Sequence, residues 1–337
     1  MSGNSDLPAI DFSAFESATG ERPEMIRRLR TAARDAGFFY LQNFGIAPER
    51  VAGAFAQSRA FFALPGARKS ALLWDRTNRG YDGVEAQSFK PGQPGDLKES
   101  FRFTAEPDSK NGIDPEPAWG FLHNKPNKWP EGMPGFRAEL LQFLSDCADV
   151  VERVLAALEE ALDMQEPLLR QHHRRRNYTM RLLRYPGVTG PVKDGQARCG
   201  EHTDWGTITL LFQGGEDGLE VQRRSGEWIP AAPMPETVLV NIGDELETWT
   251  KGTFVSTPHR VRAESLHSGT DRYSIALFCY ADFDAPIEIG DTHTSGDYVL
   301  SKLARTQSAG TVAAGLGTGA ALAKKARAEP PDLRRSG

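Results

Sequence analysis

A histidine and a carboxylate stand two positions apart in the segment GEHTDWG, where His202 and Asp204 precede an apolar run. Along a β-strand, residues two apart point to the same face. The segment therefore predicts an imidazole and a carboxylate presented side by side. These groups are two ligands of a divalent metal ion, and a third ligand is expected from a neighbouring strand.

His259 is the best placed of the seven histidines to supply that third ligand. It follows a predicted hairpin turn at Lys251–Gly252, which can bring it opposite the first pair. Two histidines and one carboxylate on one side of a metal leave three coordination positions open. That is the ligand set of non-heme Fe(II) oxygenases, whose open positions bind a co-substrate and O2.

A second same-face pair, Arg272 and Ser274, begins another apolar strand. A buried arginine beside a hydroxyl forms a strong site for a carboxylate through charge-assisted hydrogen bonds. The alternative is a structural salt bridge with Asp244 or Glu245, because a desolvated arginine needs an anion.

The other histidines are weaker metal candidates. His172 and His173 are adjacent, so they cannot share a strand face, and with the arginines at 174–176 they predict a solvated basic turn. The remaining three lie in polar or loop-rich segments, where a surface role is expected: His123, His267 and His293.

Hydrophobic spacing indicates the elements that must position these groups. Apolar residues at helical spacing predict a helix from Pro23 to a stop at Gly37, and a second helix that begins near Pro48. An aromatic-rich strand, FFYLQNFG, lies between them. The clearest helix covers Phe136–Met164 and is expected to pack against a sheet.

The second half of the chain has a β-rich pattern. From Tyr178 onward, short apolar runs alternate with glycine-containing turns, which is typical of an antiparallel sandwich or barrel. Residues 75–135 are rich in Gly, Pro, Asn and Asp and predict long loops with short strands, of the kind that carry binding functions. The tail from about Thr306 is Ala/Gly-rich, then basic and Pro-rich, and predicts a disordered or loosely helical segment.

Composition limits the class of protein. The 337 residues are 39% hydrophobic and 25% charged, with a net charge of -5, so no broad basic field exists to attract nucleic acid or an anionic membrane. The three scattered cysteines favour a reducing compartment, and neither a secretory signal nor a bilayer-length apolar run occurs. A soluble, cytoplasmic protein is expected.

Together these segments resemble the 2-oxoglutarate- and Fe(II)-dependent oxygenases, in particular the isopenicillin N synthase-like branch. The resemblance extends to about Leu303, and its segments fall in the family's order. The segments include AARDAGFFYLQNFGI, RLLRYP, HTDWGTITLLFQ, VLVNIGDELETWTKGTFVSTPHRV and RYSIALFCYADFDAPIE.

The resemblance implies an α+β fold with a mainly β core. That core is a double-stranded β-helix (a cupin-like jelly roll) with an N-terminal mixed α/β region and a long supporting helix. The implied divisions are a mixed region with substrate-facing loops at 1–135, the helix and a linker at 136–175, the oxygenase core at 176–303 and the tail at 304–337.

The resemblance also implies the roles of the site residues. His202, Asp204 and His259 would hold Fe(II), while Arg272 and Ser274 would bind the distal carboxylate of 2-oxoglutarate. A further tyrosine in RLLRYP, Tyr185, would help to hold this co-substrate. Plant members often carry an asparagine where this chain has Leu183, which weakens the expectation of a second polar contact there.

The implied reaction consumes O2 and 2-oxoglutarate and releases succinate and CO2 while a small organic molecule is hydroxylated, desaturated or cyclised, as in secondary or specialised metabolism. No protein nucleophile or general base is required, so Glu201 and Asp244 are expected to be structural. Expected partners are the small-molecule substrate alone, with the chain a monomer or a weak homo-oligomer. Four residues are weaker candidates for substrate contacts: Arg102, Phe103, Trp205 and Phe283.

Three other functions stay open at this point. An isopenicillin N synthase-type Fe(II) oxidase has the same triad and Arg-Ser pair but does not use 2-oxoglutarate. A zinc hydrolase also uses two histidines and an acid, although no general base stands near the motif. A non-catalytic binder on this scaffold would be expected to lose a metal ligand, whereas this chain keeps all three.

Overall fold

The computed structural model describes residues 6–17, 20–75, 77–88, 94–106, 126–188, 192–262, 269–287 and 293–306. The helices in these ranges are α1 Ser13–Glu16, α2 Arg22–Asp35, α3 Pro48–Phe62, α4 Gly66–Ser70, α5 Phe136–Ala161, α6 Leu168–Gln171, α7 Asp244–Trp249 and α8 Ser295–Thr306. The strands are β1 Ala9–Asp11, β2 Phe38–Gln42, β3 Gly80–Asp82, β4 Glu99–Thr104, β5 Tyr178–Tyr185, β6 Cys199–His202, β7 Ile208–Gln213, β8 Leu219–Gln222, β9 Trp228–Pro230, β10 Thr237–Ile242, β11 His259–Val261 and β12 Arg272–Cys279.

Two sheets face each other. The larger has the strand order β1-β2-β10-β7-β12-β5-β4-β3, and the smaller has the order β6-β11-β8-β9. Apart from the parallel β1–β2 pair, the paired strands are antiparallel. Buried residues of both sheets form one apolar cluster, as Tyr185, Leu239 and Ala276 of the larger sheet pack with Leu219 and Val261 of the smaller. The predicted jelly-roll core is confirmed.

Helices cover the other face of the larger sheet. The apolar faces of α2, α3 and α5 join alternate residues of the large sheet in a second cluster, which includes Leu29, Phe61, Leu155, Leu182 and Leu277. Strand side chains alternate between faces, so each central strand supplies one face to this helical layer and the other to the space between the sheets. The predicted packing of the long helix on a sheet is observed.

Two glycines allow the backbone to pack closely against neighbouring segments, where a Cβ atom would clash. Gly37 ends α2 with φ +65°, and a Cβ there would lie 2.1 Å from the Val255 carbonyl oxygen. Gly206, the last residue of GEHTDWG, would place a Cβ 2.2 Å from the Cys279 carbonyl oxygen. The motif glycine therefore lets the segment after Asp204 lie directly against the end of β12.

His173 corrects one prediction. The exposed residues Arg174 to Arg176 fit the expected basic turn, but His173 is 1% exposed. Its Nδ1 lies 2.6 Å from the Leu169 carbonyl oxygen and its Nε2 lies 2.9 Å from Thr207 Oγ1. Burial lowers the pKa of His173 to about 4, so this imidazole is a neutral structural group.

We expect acid to destabilise the wild-type protein more than a His173→Gln variant. Because the pKa is about 4 in the folded chain and about 6.5 in the unfolded chain, the unfolded chain takes up the proton first as the pH falls. This linkage removes about 3 kcal/mol of unfolding free energy, most of it between pH 6.5 and 4. Urea unfolding at neutral and mildly acidic pH measures the free energy of unfolding of both proteins. If the difference between their free energies does not change with pH, His173 is not a buried neutral imidazole.

The structure adds two general findings. No helix in the described ranges is both long and apolar enough to cross a bilayer. The three cysteines, Cys147, Cys199 and Cys279, are free and buried. Most of the predicted tail, from residue 307, lies outside the described residues, as do His123 and His267.

Candidate active site

The three predicted metal ligands meet at one edge of the smaller sheet. His259, the first residue of β11, is the register partner of His202, the last residue of β6. The Nε2 atoms of His202 and His259 lie 3.9 and 3.7 Å from Asp204 Oδ1. The possible ligand atoms all lie within 4.8 Å of one another, and among the described residues these three side chains form the group that could hold a metal ion. We call this triad the metal-binding group. Metal bonds of about 2.1 Å place neighbouring ligand atoms about 3 Å apart, so small side-chain movements complete a coordination site.

Two of the structural reasons given for the convergence of these residues are wrong. Asp204 does not share a strand face with His202, because β6 ends at His202 and Asp204 lies in the loop that follows. The turn at Lys251–Gly252 follows α7 rather than a strand, so it does not close a hairpin. The His202 and Asp204 side chains converge because the chain turns after β6 and the Asp204 carbonyl accepts a 2.8 Å hydrogen bond from the Asp244 amide.

Hydrogen bonds orient all three side chains. The Nδ1 of His202 lies 2.8 Å from the Gly200 carbonyl oxygen and that of His259 lies 3.2 Å from the Thr257 carbonyl oxygen. Carbonyls accept only, so each Nδ1 carries the proton and each Nε2 keeps its lone pair. Asp204 Oδ2 accepts hydrogen bonds from Thr209 Oγ1 at 2.7 Å and from Asn241 Nδ2 at 2.8 Å. The opposite oxygen, Oδ1, is left to face the two imidazoles.

The charge states also suit a metal. Burial lowers the pKa of His202, and burial together with the neighbouring His202 lowers the pKa of His259 to about 4. Burial alone would raise the pKa of Asp204, but His259, His202 and the two hydrogen-bond donors outweigh it and lower this pKa. At neutral pH the site therefore presents two neutral imidazoles and one carboxylate, the protonation states that coordinate metals.

Arg272 and Ser274 form a buried group that lacks an anion. Each is 1% exposed. Arg272 Nη2 donates a 3.1 Å hydrogen bond to Gln213 Oε1, whereas Arg272 Nε, Arg272 Nη1 and Ser274 Oγ have no partner in the described structure. The Arg272 guanidinium carbon lies 4.9 Å from the centre of the Tyr185 ring. Buried donors are rarely left unpaired, so these donors are available to an acceptor such as a carboxylate.

The alternative salt bridges for Arg272 are not observed. Asp244 accepts hydrogen bonds from Ser256 and Tyr298, each at 2.7 Å, and lies 3.3 Å from the Lys302 ammonium. Glu245 accepts from the Ala281 amide at 3.0 Å and from the Ser295 hydroxyl. Both acids are structural, as predicted for Asp244.

One cavity joins the metal-binding group to the arginine. It lies between the two sheets and encloses about 980 Å³ of empty space, including its mouth open to solvent. Same-face residues of β5 and β12 line one wall, and the metal-binding group lies on another. The wall residues of the two strands are Thr179, Arg181, Leu183, Tyr185, Arg272, Ser274, Ala276 and Phe278.

The four weaker substrate candidates fall in different places. Arg102 and Trp205 line the cavity. Phe103 is fully buried in the helical core, where its ring packs on Trp129, and Phe283 packs with Tyr280 in a satellite cluster. Neither phenylalanine is among the residues that line the cavity, so their placement does not support a substrate contact.

Several residues of the site were not singled out from the sequence. Thr209 and Asn241 fix Asp204, and Lys98 and Arg181 line the cavity. Strand alternation offered a signal for Arg181, because it lies four positions before Tyr185 and so shares its face. Thr209 and Asn241 depend on the order of strands in the sheet, which no local pattern indicates.

Two family models match the chain. The model described as the N-terminal region of non-haem dioxygenases in morphine synthesis matches residues 7–132. The model of the 2OG-Fe(II) oxygenase superfamily matches residues 167–281, which include the metal-binding group and the Arg-Ser pair.

Similar proteins carry corresponding names. A 2-oxoglutarate-Fe(II) type oxidoreductase of Metarhizium rileyi is 33% identical, over 80% of this chain and 79% of that protein. A 2-oxoglutarate-dependent dioxygenase of Aspergillus niger is 30% identical, over 87% of this chain and 90% of that protein.

A solved structure shares the fold. The crystal structure of a full-length Neurospora crassa protein in complex with alpha-KG has a TM-score of 0.77 and 31% sequence identity, and the match covers 88% of this chain and 96% of that one. Geometry, family models and relatives agree: the chain belongs to the 2OG-Fe(II) oxygenase superfamily and is a 2-oxoglutarate-dependent Fe(II) dioxygenase.

Proposed function

We propose that His202, Asp204 and His259 hold the ferrous ion, that Arg272 and Ser274 hold the distal carboxylate of 2-oxoglutarate, and that Tyr185 helps to hold this co-substrate. The observation that carries this assignment is the buried Arg272 guanidinium, with two donors and the Ser274 hydroxyl unpaired beside the metal-binding group. The bound iron supplies the activation of O2 that couples loss of CO2 from 2-oxoglutarate, and release of succinate, to oxidation of an organic substrate.

The chain's own residues orient and desolvate these reactants. Thr209 and Asn241 hold Asp204 Oδ2, so Oδ1 is presented at a fixed angle. Phe38 packs edge-on against His259 with ring centres 5.3 Å apart, which keeps water from that side of the imidazole. The Arg272 guanidinium carbon lies 4.9 Å from the centre of the Tyr185 ring, so this ring would border the proposed carboxylate site. No side chain acts as a nucleophile or a general base in this scheme.

A coupled assay tests the function. The full chain is loaded with Fe(II) under nitrogen, mixed with 2-oxoglutarate and a panel of small organic molecules, and exposed to O2. Succinate release that rises with one panel member and follows O2 consumption is expected. O2 consumption without succinate would favour the isopenicillin N synthase-type oxidase, and metal-dependent hydrolysis under nitrogen would favour a zinc hydrolase.

Asn241→Leu is expected to weaken Fe(II) binding by roughly 10- to 100-fold without unfolding the protein, because Asp204 loses one of its two fixed donors. Equilibrium dialysis of Fe(II) under nitrogen measures the affinity, and circular dichroism checks the fold. Gln165→Leu, which replaces an exposed amide on the α5–α6 loop, is the matched control. Equal affinities in all three proteins would show that Asn241 does not position Asp204.

The substrate is proposed to be a small organic molecule, contacted by Arg102 and Trp205 at the cavity wall. A role in secondary or specialised metabolism, a monomeric state and a cytoplasmic location stay predictions. Three free cysteines with no disulfide among them support a reducing compartment.

A further inference from the structure

Arg181 occupies the part of the cavity away from the Arg272 site. On β5 it shares a face with Tyr185, and in the sheet it lies between Ala276 of β12 and Arg102 of β4. It lies four positions along the strand from the Arg272–Tyr185 pair, a span of about 13 Å. Arg181 and Arg272 therefore line different stretches of the same wall.

The bonding of Arg181 differs from that of its cationic neighbours. Lys98 pairs with Asp96 at 2.5 Å, and Arg102 pairs with Asp82. Arg181 Nη2 donates instead to the neutral Gln87 Oε1, and its buried Nε has no partner. Among the described residues, no carboxylate pairs with Arg181.

When Fe(II) and 2-oxoglutarate occupy the cavity, the positive charge of Arg181 is the one that no negative charge balances among the described residues that line it. The two positive charges of Fe(II) and the one of Arg272 equal the negative charges of Asp204 and the 2-oxoglutarate dianion. Lys98 and Arg102 are neutralised by their own aspartates. The partly exposed Arg181 guanidinium then remains beside the reaction site without an anion, and partial burial of a cation favours an anionic ligand.

The cavity that Arg181 lines also has apolar surfaces. Phe278 and Tyr280 continue its wall, and Trp205 and Leu303 line the same cavity. Rings and aliphatic groups beside one unpaired guanidinium suit a ligand with an apolar body and a single acidic end.

We propose that Arg181 binds a carboxylate of the substrate, and that the substrate class is a monocarboxylic acid with an apolar, ring-sized body. This inference rests on the proposed function, because it takes the Arg272 site to be filled by 2-oxoglutarate. Gln87 is the positioning residue that holds the guanidinium against the wall through Nη2.

Calorimetric titration under nitrogen tests the proposal without turnover. The full chain is loaded with Fe(II) and 2-oxoglutarate and titrated with phenylacetate against phenylacetamide and with benzoate against benzamide, pairs that share a shape and differ in charge. In the wild-type protein at least one carboxylate is expected to bind about tenfold or more tightly than its amide. In Arg181→Gln and Arg181→Met this preference falls to about twofold or less, while the Kd of 2-oxoglutarate changes by less than about twofold.

Arg174→Gln is the matched control, because it removes the same charge from an exposed position outside the cavity. It is expected to keep the wild-type preference. The proposal is overturned by equal binding of acid and amide in every wild-type pair, or by a preference that persists in both Arg181 variants. Loss of 2-oxoglutarate affinity in those variants also overturns it, because Arg181 would then serve the co-substrate. Failure of 2-oxoglutarate to bind the wild-type protein would instead refute the proposed function.

Discussion

Asp204→Ala is expected to bind Fe(II) at least about 10³-fold more weakly than the wild-type protein and to lose 2-oxoglutarate-dependent O2 consumption. Asp204 supplies the one anionic ligand in a buried site, and losing one partner of a buried charged pair costs about 3–5 kcal/mol. In the proposed function this carboxylate acts only by holding the metal. Dialysis of Fe(II) under nitrogen and an oxygen electrode measure the two effects.

The control for this variant is Asp217→Ala, which removes an exposed carboxylate from the turn before β8. It is expected to match the wild-type protein in both measurements. The far-ultraviolet circular dichroism of Asp204→Ala should also match, because the alanine fits the space and removes a buried charge. Wild-type Fe(II) affinity in a folded Asp204→Ala protein would refute the metal site.

The fold was predictable where the pattern is local. The helices at Arg22–Asp35, Pro48–Phe62 and Phe136–Ala161 agree with the predictions within a few residues, because each has an apolar stripe and a proline or glycine at one end. Helix α8, Ser295–Thr306, was not predicted. Its short apolar stripe packs Val299 and Leu303 against Tyr280, a contact that requires the end of β12 to be in place.

The candidate site was predictable as a set of residues, but its geometry was predictable only in part. The same-face rule holds for Arg272 and Ser274, which lie within β12 and both line the cavity. It fails for His202 and Asp204, because the strand ends between them. A two-residue spacing gives no information about where a strand ends, so the convergence on His259 was right while the reason offered for it was not.

Neighbouring residues on β4 show how alternation could have sharpened the prediction. Arg102 and Phe103 were proposed together as substrate contacts, but adjacent strand residues point to opposite faces. Arg102 faces the cavity and Phe103 enters the helical core. The sequence could therefore have excluded one of the two, but the choice between them depends on which face the helices cover.

Arg272→Met is expected to raise the Kd of 2-oxoglutarate by roughly 10- to 150-fold, because a hydrogen bond to a charged group contributes about 1.5–3 kcal/mol. The Kd of Fe(II) should change by less than about twofold, since the arginine does not contact the metal-binding side chains. Without 2-oxoglutarate the variant should unfold at the same temperature as the wild-type protein or higher, because a buried cation with unpaired donors is removed. If Arg272 served only to stabilise the fold, Arg272→Met would instead unfold at a lower temperature than the wild-type protein.

Thermal unfolding across a series of 2-oxoglutarate concentrations measures both the stability of the ligand-free protein and the affinity for 2-oxoglutarate. Ligand that binds the folded chain alone stabilises it by about 2.7 kcal/mol at a hundred times its Kd. At that concentration the melting temperature of Arg272→Met should rise by about half as much as that of the wild-type protein, or less. Ser274→Ala, which keeps the charge and removes one hydroxyl, should lie between them. Arg174→Met, at an exposed position, should follow the wild-type curve. If Arg272→Met gains stability from 2-oxoglutarate as the wild-type protein does, the carboxylate binds elsewhere, and the unpaired donors beside Ser274 need another ligand.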